Sequence, residues 1–159
     1  MNTELVTELA EKLTRLNWML ATAESCTGGM ISAQCTDMAG SSAWFDCGFV
    51  SYSNHAKTHL LGVDSKLLLQ HGAVSQAVAM AMAQGAVARS QAHVSLAVTG
   101  IAGPGGATLD KPVGTVWLAW VVDGEVISER QQFSGDRQSI RHATTAHALV
   151  GLLARLSRW

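Results

Sequence analysis

Ser25 stands in the run Ala23-Glu24-Ser25-Cys26-Thr27-Gly28-Gly29, between a stretch that reads as a strand and one that reads as a helix. Backbone N–H groups at a helix start lack partners, and the helix dipole favours negative charge there. A serine at that point can be a nucleophile, a helix cap or a phosphate ligand. The glycine pair lets another group come close to the backbone. In a second run, Gly48-Phe49-Val50-Ser51-Tyr52-Ser53-Asn54-His55-Ala56-Lys57, Tyr52 sits near a strand end and Lys57 about one helical turn further on. A lysine kept neutral by burial or by nearby cations can take the proton of a serine hydroxyl. A tyrosine can relay that proton or orient the pair. The plainer alternative makes Lys57 a solvated cation and Tyr52 a strand aromatic.

A third run, Thr99 to Gly106, is followed by Lys111-Pro112-Val113-Gly114-Thr115. A glycine-rich loop after a strand can present several N–H groups to a phosphate, or be a tight turn with no ligand. It matches neither the dinucleotide fingerprint nor the triphosphate loop. Gly135-Asp136-Arg137 opens the last helical stretch, where Arg137 can face a phosphate or pair with Asp136.

The elements that must position these groups follow from periodicity. Leu5, Val6, Leu9, Leu13 and Leu16 predict a helix from Thr3 to Leu16, with Thr3 as its cap. Trp18 to Ala23 reads as a buried strand, Thr27 to Met38 as a helix beginning immediately after Ser25, and Phe45 to Ser53 as a second strand. Short helices are expected over His55 to Leu61 and Ser65 to His71. A longer one runs from Ser75 to Arg89, capped by Ser75. Val94 to Thr99 is a third strand. Gly114 to Val122 and Val126 to Phe133 form a hairpin around Asp123-Gly124. The final helix spans Arg137 to Leu156. Early alternation and a late hairpin predict one α/β domain over residues 1–159, with helices on both faces of a mixed sheet.

With 159 residues, 48% of them hydrophobic and 14% charged, the chain can bury a core without disulfides or metals. A net charge of -1 gives no basic face for nucleic acid. No apolar stretch reaches the length of a membrane span, and the acidic N-terminus does not read as a signal peptide. Cys26, Cys35 and Cys47 then read as reduced thiols in the cytoplasm. No metal is expected, since no cysteine pair has zinc-ligand spacing and the six histidines are scattered. So few charges, with an Ala/Met-rich helix at Ser75 to Arg89, predict a homodimer or larger.

The three runs, together with Gly40-Ser41-Ser42 and Gly72-Ala73-Val74-Ser75, resemble the CinA C-terminal domain family from about Glu4 to the final helix. The family's characterised activity is that of a nicotinamide-nucleotide amidase. The resemblance implies a three-layer α/β/α fold and conversion of nicotinamide mononucleotide to nicotinic acid mononucleotide and ammonia, with no cofactor. It maps the nucleophile onto Ser25 and a tyrosine and lysine onto Tyr52 and Lys57. Ser42 and Thr99 fall in its substrate-pocket motifs. Where its commoner members carry an acidic residue after Gly-Pro, this chain has Gly105.

The expected mechanism is attack by Ser25 on the carboxamide, with Lys57 as base and Tyr52 bridging or orienting. N–H groups around Thr27, Gly28 and Gly29 face the oxyanion. Thr99, Gly100, Gly103, Gly105 and Arg137 are the candidates for holding the nucleotide. Two alternatives stand beside it: a non-catalytic pyridine-nucleotide-binding module, and a competence or DNA-damage interaction protein. A pure binder has no need of the serine, and the near-neutral charge disfavours the second.

Overall fold

Successive residues of a strand face opposite sides of its sheet, so Leu96-Ala97-Val98 and Leu118-Ala119-Trp120 present large side chains to one layer and alanines to the other. The computed structural model, which describes residues 3–159, has this arrangement. In chain order the elements are α1 (Thr3–Leu16), β1 (Leu20–Glu24), α2 (Met30–Thr36), β2 (Phe45–Val50), α3 (Asn54–Leu61), α4 (Ser65–His71), α5 (Gln76–Ala88), β3 (Val94–Gly100), β4 (Thr115–Val122), β5 (Glu125–Gln132) and α6 (Arg137–Arg155). The strands form one sheet in the order β2-β1-β3-β4-β5. β1 pairs in parallel with β2 and β3, while β3–β4 and β4–β5 are antiparallel. The fold is therefore a three-layer α/β/α domain with a mixed sheet.

The large-residue face packs under α1, α2 and α6, burying Leu9, Leu13, Ile31, Leu96, Leu118, Trp120 and Leu149 in one core. Burying each such side chain is worth about 1.5–3 kcal/mol. On the other face Ala21, Ala23, Ala97 and Ala119 let α5 lie close, with Val78, Ala79, Met82 and Ala83 filling the layer. That packing explains the Ala/Met-rich composition of α5 without any second subunit. Among the described residues no helix is long and apolar enough to cross a membrane.

Several boundaries differ from the expectation. Thr3 is already helical rather than a cap, and the first strand runs Leu20–Glu24. The hairpin turn is as expected, with Asp123 at φ 50° and Gly124 at φ 80°, the pair of positive φ angles that matches strand twist. Ser75 caps α5 by accepting from Val78 N–H. The largest departure is α2, which starts at Met30 rather than just after Ser25. Gly28 (φ 59°) and Gly29 (φ 101°) take left-handed conformations that an α-helix does not use, and so keep Cys26 to Gly29 a turn.

The topology sets where a ligand can sit. From interior β1 the chain passes through α2, on one face, to edge strand β2. It then returns through α3–α5, on the other face, to β3. Strand order thus reverses at β1, and the crevice beyond the carboxyl ends of β1 and β3 is the switch point where open α/β sheets bind ligands.

Candidate functional site

Three loops meet at that crevice: the turn after β1 carrying Ser25, the segment Ser51–Ser53 after β2, and the end of β3 at Thr99–Gly100. Ser25 N–H donates to Val98 O (3.1 Å), tying the first loop to β3. Ser53 caps α3 by accepting from Ala56 N–H, which turns Lys57 back toward β1.

Lys57 is 1% exposed, and its ammonium head reaches three acceptors: Ser25 Oγ at 2.9 Å, Ser51 O at 3.0 Å and Tyr52 O at 3.0 Å. Loss of hydration on burial lowers its pKa from 10.5 to about 8, with no carboxylate of the described residues beside it to hold the charge. Neighbouring Cys26 is also buried, and burial pushes its thiol up to about 11, so it stays neutral. Burial likewise raises Cys35, to about 12. All three cysteines are free.

Ser25, Tyr52, Lys57, Thr99, Gly100 and Arg137 all line a cavity of about 210 Å³. A larger open groove of about 550 Å³ lies between α2 and α6, but it is lined by Met30, Gln34 and His142 and holds none of the Ser25–Lys57 groups. The reactive geometry therefore lies in the smaller cavity.

Arg137, the first residue of α6, donates to Gly103 O (2.7 Å) and to the Tyr52 hydroxyl (3.0 Å). Asp136 does not pair with it. Asp136 caps α6 by accepting from Ser139 N–H, a bond that lowers its pKa. One turn on, Arg141 donates to Cys26 O and Thr27 O, both at 3.0 Å. The far end of α6 is anchored by Trp120 Nε1 donating to Ala148 O (2.9 Å) and by Arg155 stacked 3.7 Å over the Trp120 ring. The helix thereby holds both arginines against the loops.

Several residues differ from the sequence expectation. The Tyr52 phenol bonds Arg137, and it is the Tyr52 carbonyl, not the hydroxyl, that meets Lys57. Gly28 N–H is used by Ser25 O (3.0 Å) and Gly29 N–H by the Glu24 carboxylate (3.0 Å), so neither faces an open site. Thr27 N–H is left out of both bonds. Thr99 Oγ1 donates to Ala73 O (2.9 Å), bracing the cavity wall. Gly105 is exposed and lies outside the cavity lining. Ser42 is also exposed, in the 3₁₀ turn that precedes β2. Because β1 and β2 run parallel, with Leu20 opposite Phe45 and Glu24 opposite Val50, Ser42 lies at the opposite end of the sheet from Ser25.

Arg141 and Glu24 contribute to the site although neither was singled out from sequence. Glu24 had a signal, since an acidic residue at the buried end of a strand demands donors. Arg141 had none beyond its i, i+4 spacing from Arg137.

The CinA C-terminal domain profile matches residues 2–156. A nicotinamide-nucleotide amidohydrolase PncC of Pseudomonas putida is 54% identical over 151 residues, spanning 95% of this chain and 94% of that one. The protein of that name from Escherichia coli K12 is 48% identical, over 94% and 91% of the two chains. A solved structure of a competence/damage inducible protein from Agrobacterium tumefaciens superposes with a TM-score of 0.92 at 47% identity, covering 95% of this chain and 93% of that one. On this match over nearly its whole length, the chain belongs to the CinA C-terminal domain family.

Proposed function

We propose that the protein is an amidohydrolase converting nicotinamide mononucleotide to nicotinic acid mononucleotide and ammonia, with Ser25 as nucleophile and Lys57 as its base. The single observation that carries this reading is the buried Lys57–Ser25 contact. When Lys57 is neutral, its two N–H bonds go to Ser51 O and Tyr52 O, and the lone pair is left facing Ser25 Oγ. Two fixed carbonyls thus aim the base.

Ser25 Oγ attacks the carboxamide carbon as its proton passes to Lys57 Nζ, giving a tetrahedral oxyanion. Arg141 takes Cys26 O, and in a trans peptide the following Thr27 N–H points the other way; Ser25 O, bound by Gly28 N–H, orients Cys26 N–H likewise. These two N–H groups are the candidates for stabilising the oxyanion, a role worth about 3–4 kcal/mol per donor. The C–N bond breaks as Lys57 returns the proton to nitrogen and ammonia leaves. Water, deprotonated by the same lysine, then hydrolyses the acyl-serine.

A cavity of about 210 Å³ is small for a whole nucleotide but suits a pyridine ring. Arg137 lines both this cavity and a neighbouring open groove of about 440 Å³ that also carries Arg141 and His142. Ribose and phosphate would lie along that cationic edge, with Arg137 and the Thr99–Gly103 loop holding them. Such an enzyme would work in the cytoplasm, and exposed Val50, Leu60 and Leu69 favour a homodimer or larger. Sedimentation showing only monomer at micromolar concentration would remove that last claim. The function is tested by incubating the purified protein with nicotinamide mononucleotide and assaying both products.

A further inference from the structure

Glu24 is the last residue of β1 and is fully buried, with no Lys or Arg among its hydrogen-bond partners within the described residues. A carboxylate can only accept, and five donors converge on this one. Oε2 takes Thr27 Oγ1 (2.7 Å), Gly29 N–H (3.0 Å) and Ile31 N–H (3.1 Å). Oε1 takes Ser32 N–H and Ser32 Oγ, both at 2.8 Å. These bonds span the whole turn after Ser25 and the first residues of α2, whose own N-cap, Gly29, has no side chain to offer. The main chain of Glu24 faces the other way. Its carbonyl accepts from Ser51 N–H (2.8 Å) and Ser51 Oγ (3.3 Å). Ser51 O is in turn one of the two carbonyls that aim Lys57.

We propose that Glu24 is the positioning residue of the reaction, setting Ser25 against Lys57 from both sides: its carboxylate holds the nucleophile's loop and its carbonyl holds the segment that orients the base. The inference rests on the amidohydrolase reading. It goes beyond it in giving the buried carboxylate, which touches neither Ser25 Oγ nor Lys57 Nζ, control over their approach. A capping role alone would stabilise α2 and leave the chemistry unchanged. A positioning role requires that the nucleophile loses reactivity when the carboxylate is changed, even in folded protein.

Glu24→Gln keeps the volume but turns one acceptor into an NH₂ that meets N–H donors, so the loop must shift. A displacement of that kind lowers kcat about 100-fold, while KM, set by groups on α6 and β3, stays within about threefold. The measurements are kcat and KM with nicotinamide mononucleotide, thermal midpoint, and the rate at which a sulfonyl fluoride labels Ser25, with Oγ displacing fluoride. Slow turnover and slow labelling in a folded variant are the expected result. A lowered thermal midpoint with wild-type kcat and labelling overturns the proposal. If Glu24→Gln does not fold, Ser32→Ala decides, because it removes one donor from Oε1 and so loosens the carboxylate's hold on the turn without altering Ser25 or Lys57 themselves: kcat lower by about threefold or more supports positioning, and unchanged kcat overturns it. Wild-type protein that labels at Ser25 yet releases no ammonia would sink the amidohydrolase reading instead, and the labelling rates would still judge Glu24.

Discussion

Lys57 Nζ lies 2.9 Å from Ser25 Oγ although 32 residues separate them, and the lysine is buried beside backbone carbonyls rather than a carboxylate. A carboxylate there would hold the lysine charged; carbonyls and burial do the reverse. The arrangement suits a lysine that must lose its proton to work.

The first prediction is a pH profile. With the Lys57 pKa lowered to about 8, kcat/KM should rise about tenfold per pH unit below that value and level off above it. Lys57→Arg keeps the cation and cannot give up a proton near neutrality, so it should bind nucleotide and not turn over. Near-normal turnover by Lys57→Arg would make the lysine purely electrostatic.

The same burial links Lys57 to stability. The unfolded chain keeps the lysine proton up to about 10.5, whereas the folded protein sheds it above about 8. Between those values the unfolded state binds more protons, so stability rises with pH across this window. Relative to Lys57→Met, the wild type should gain roughly 3 kcal/mol from pH 7 to pH 10.5, read by denaturant unfolding. The buried thiol of Cys26 acts in the opposite sense above pH 9, but both proteins carry it and it cancels in the difference. A pH-independent difference would mean that Lys57 titrates normally.

The Tyr52 hydroxyl bonds Arg137 and the Tyr52 carbonyl bonds Lys57, so the two ends of this residue can be tested separately. Tyr52→Phe removes only the hydroxyl, and should raise KM while holding kcat within about threefold. Arg137→Ala should raise KM for the mononucleotide by about 10-fold or more, the worth of one charge-assisted hydrogen bond, and narrow its advantage over free nicotinamide. A large loss of kcat in Tyr52→Phe at unchanged KM would return the phenol to the chemistry.

Much of the fold was legible because local signals agreed with the tertiary outcome. The α1 periodicity, the Ser75 cap and the Asp123-Gly124 turn each specify their element alone. The start of α2 was not, because the left-handed angles of Gly28 and Gly29 depend on the Glu24 carboxylate that gathers the turn. The candidate site was half legible. The pairing of Ser25 with Lys57 was expected from the family resemblance together with the chemistry open to a strand-to-helix serine and a nearby lysine, and the two side chains meet at 2.9 Å. The direction of the Tyr52 phenol was hidden, since Arg137 lies 85 residues away in sequence. Ser42 illustrates a different failure: motif order along the chain says nothing about which end of a sheet a residue occupies. Parallel pairing of β1 with β2 decides that, and puts Ser42 on the far side.

The central claim is that Ser25 carries amide hydrolysis of a pyridine nucleotide, and Ser25→Ala tests it most directly. Ser25 Oγ accepts from Lys57 and lies 3.5 Å from Tyr52 O, so alanine removes few contacts and the protein should fold normally. Ammonia release from nicotinamide mononucleotide is measured for both proteins at pH 8.5, above the lysine pKa of about 8. Steady release by the wild type and a loss of about 10⁴-fold or more in the folded variant, with nucleotide binding retained, is the predicted result. Ordinary turnover by Ser25→Ala would contradict it.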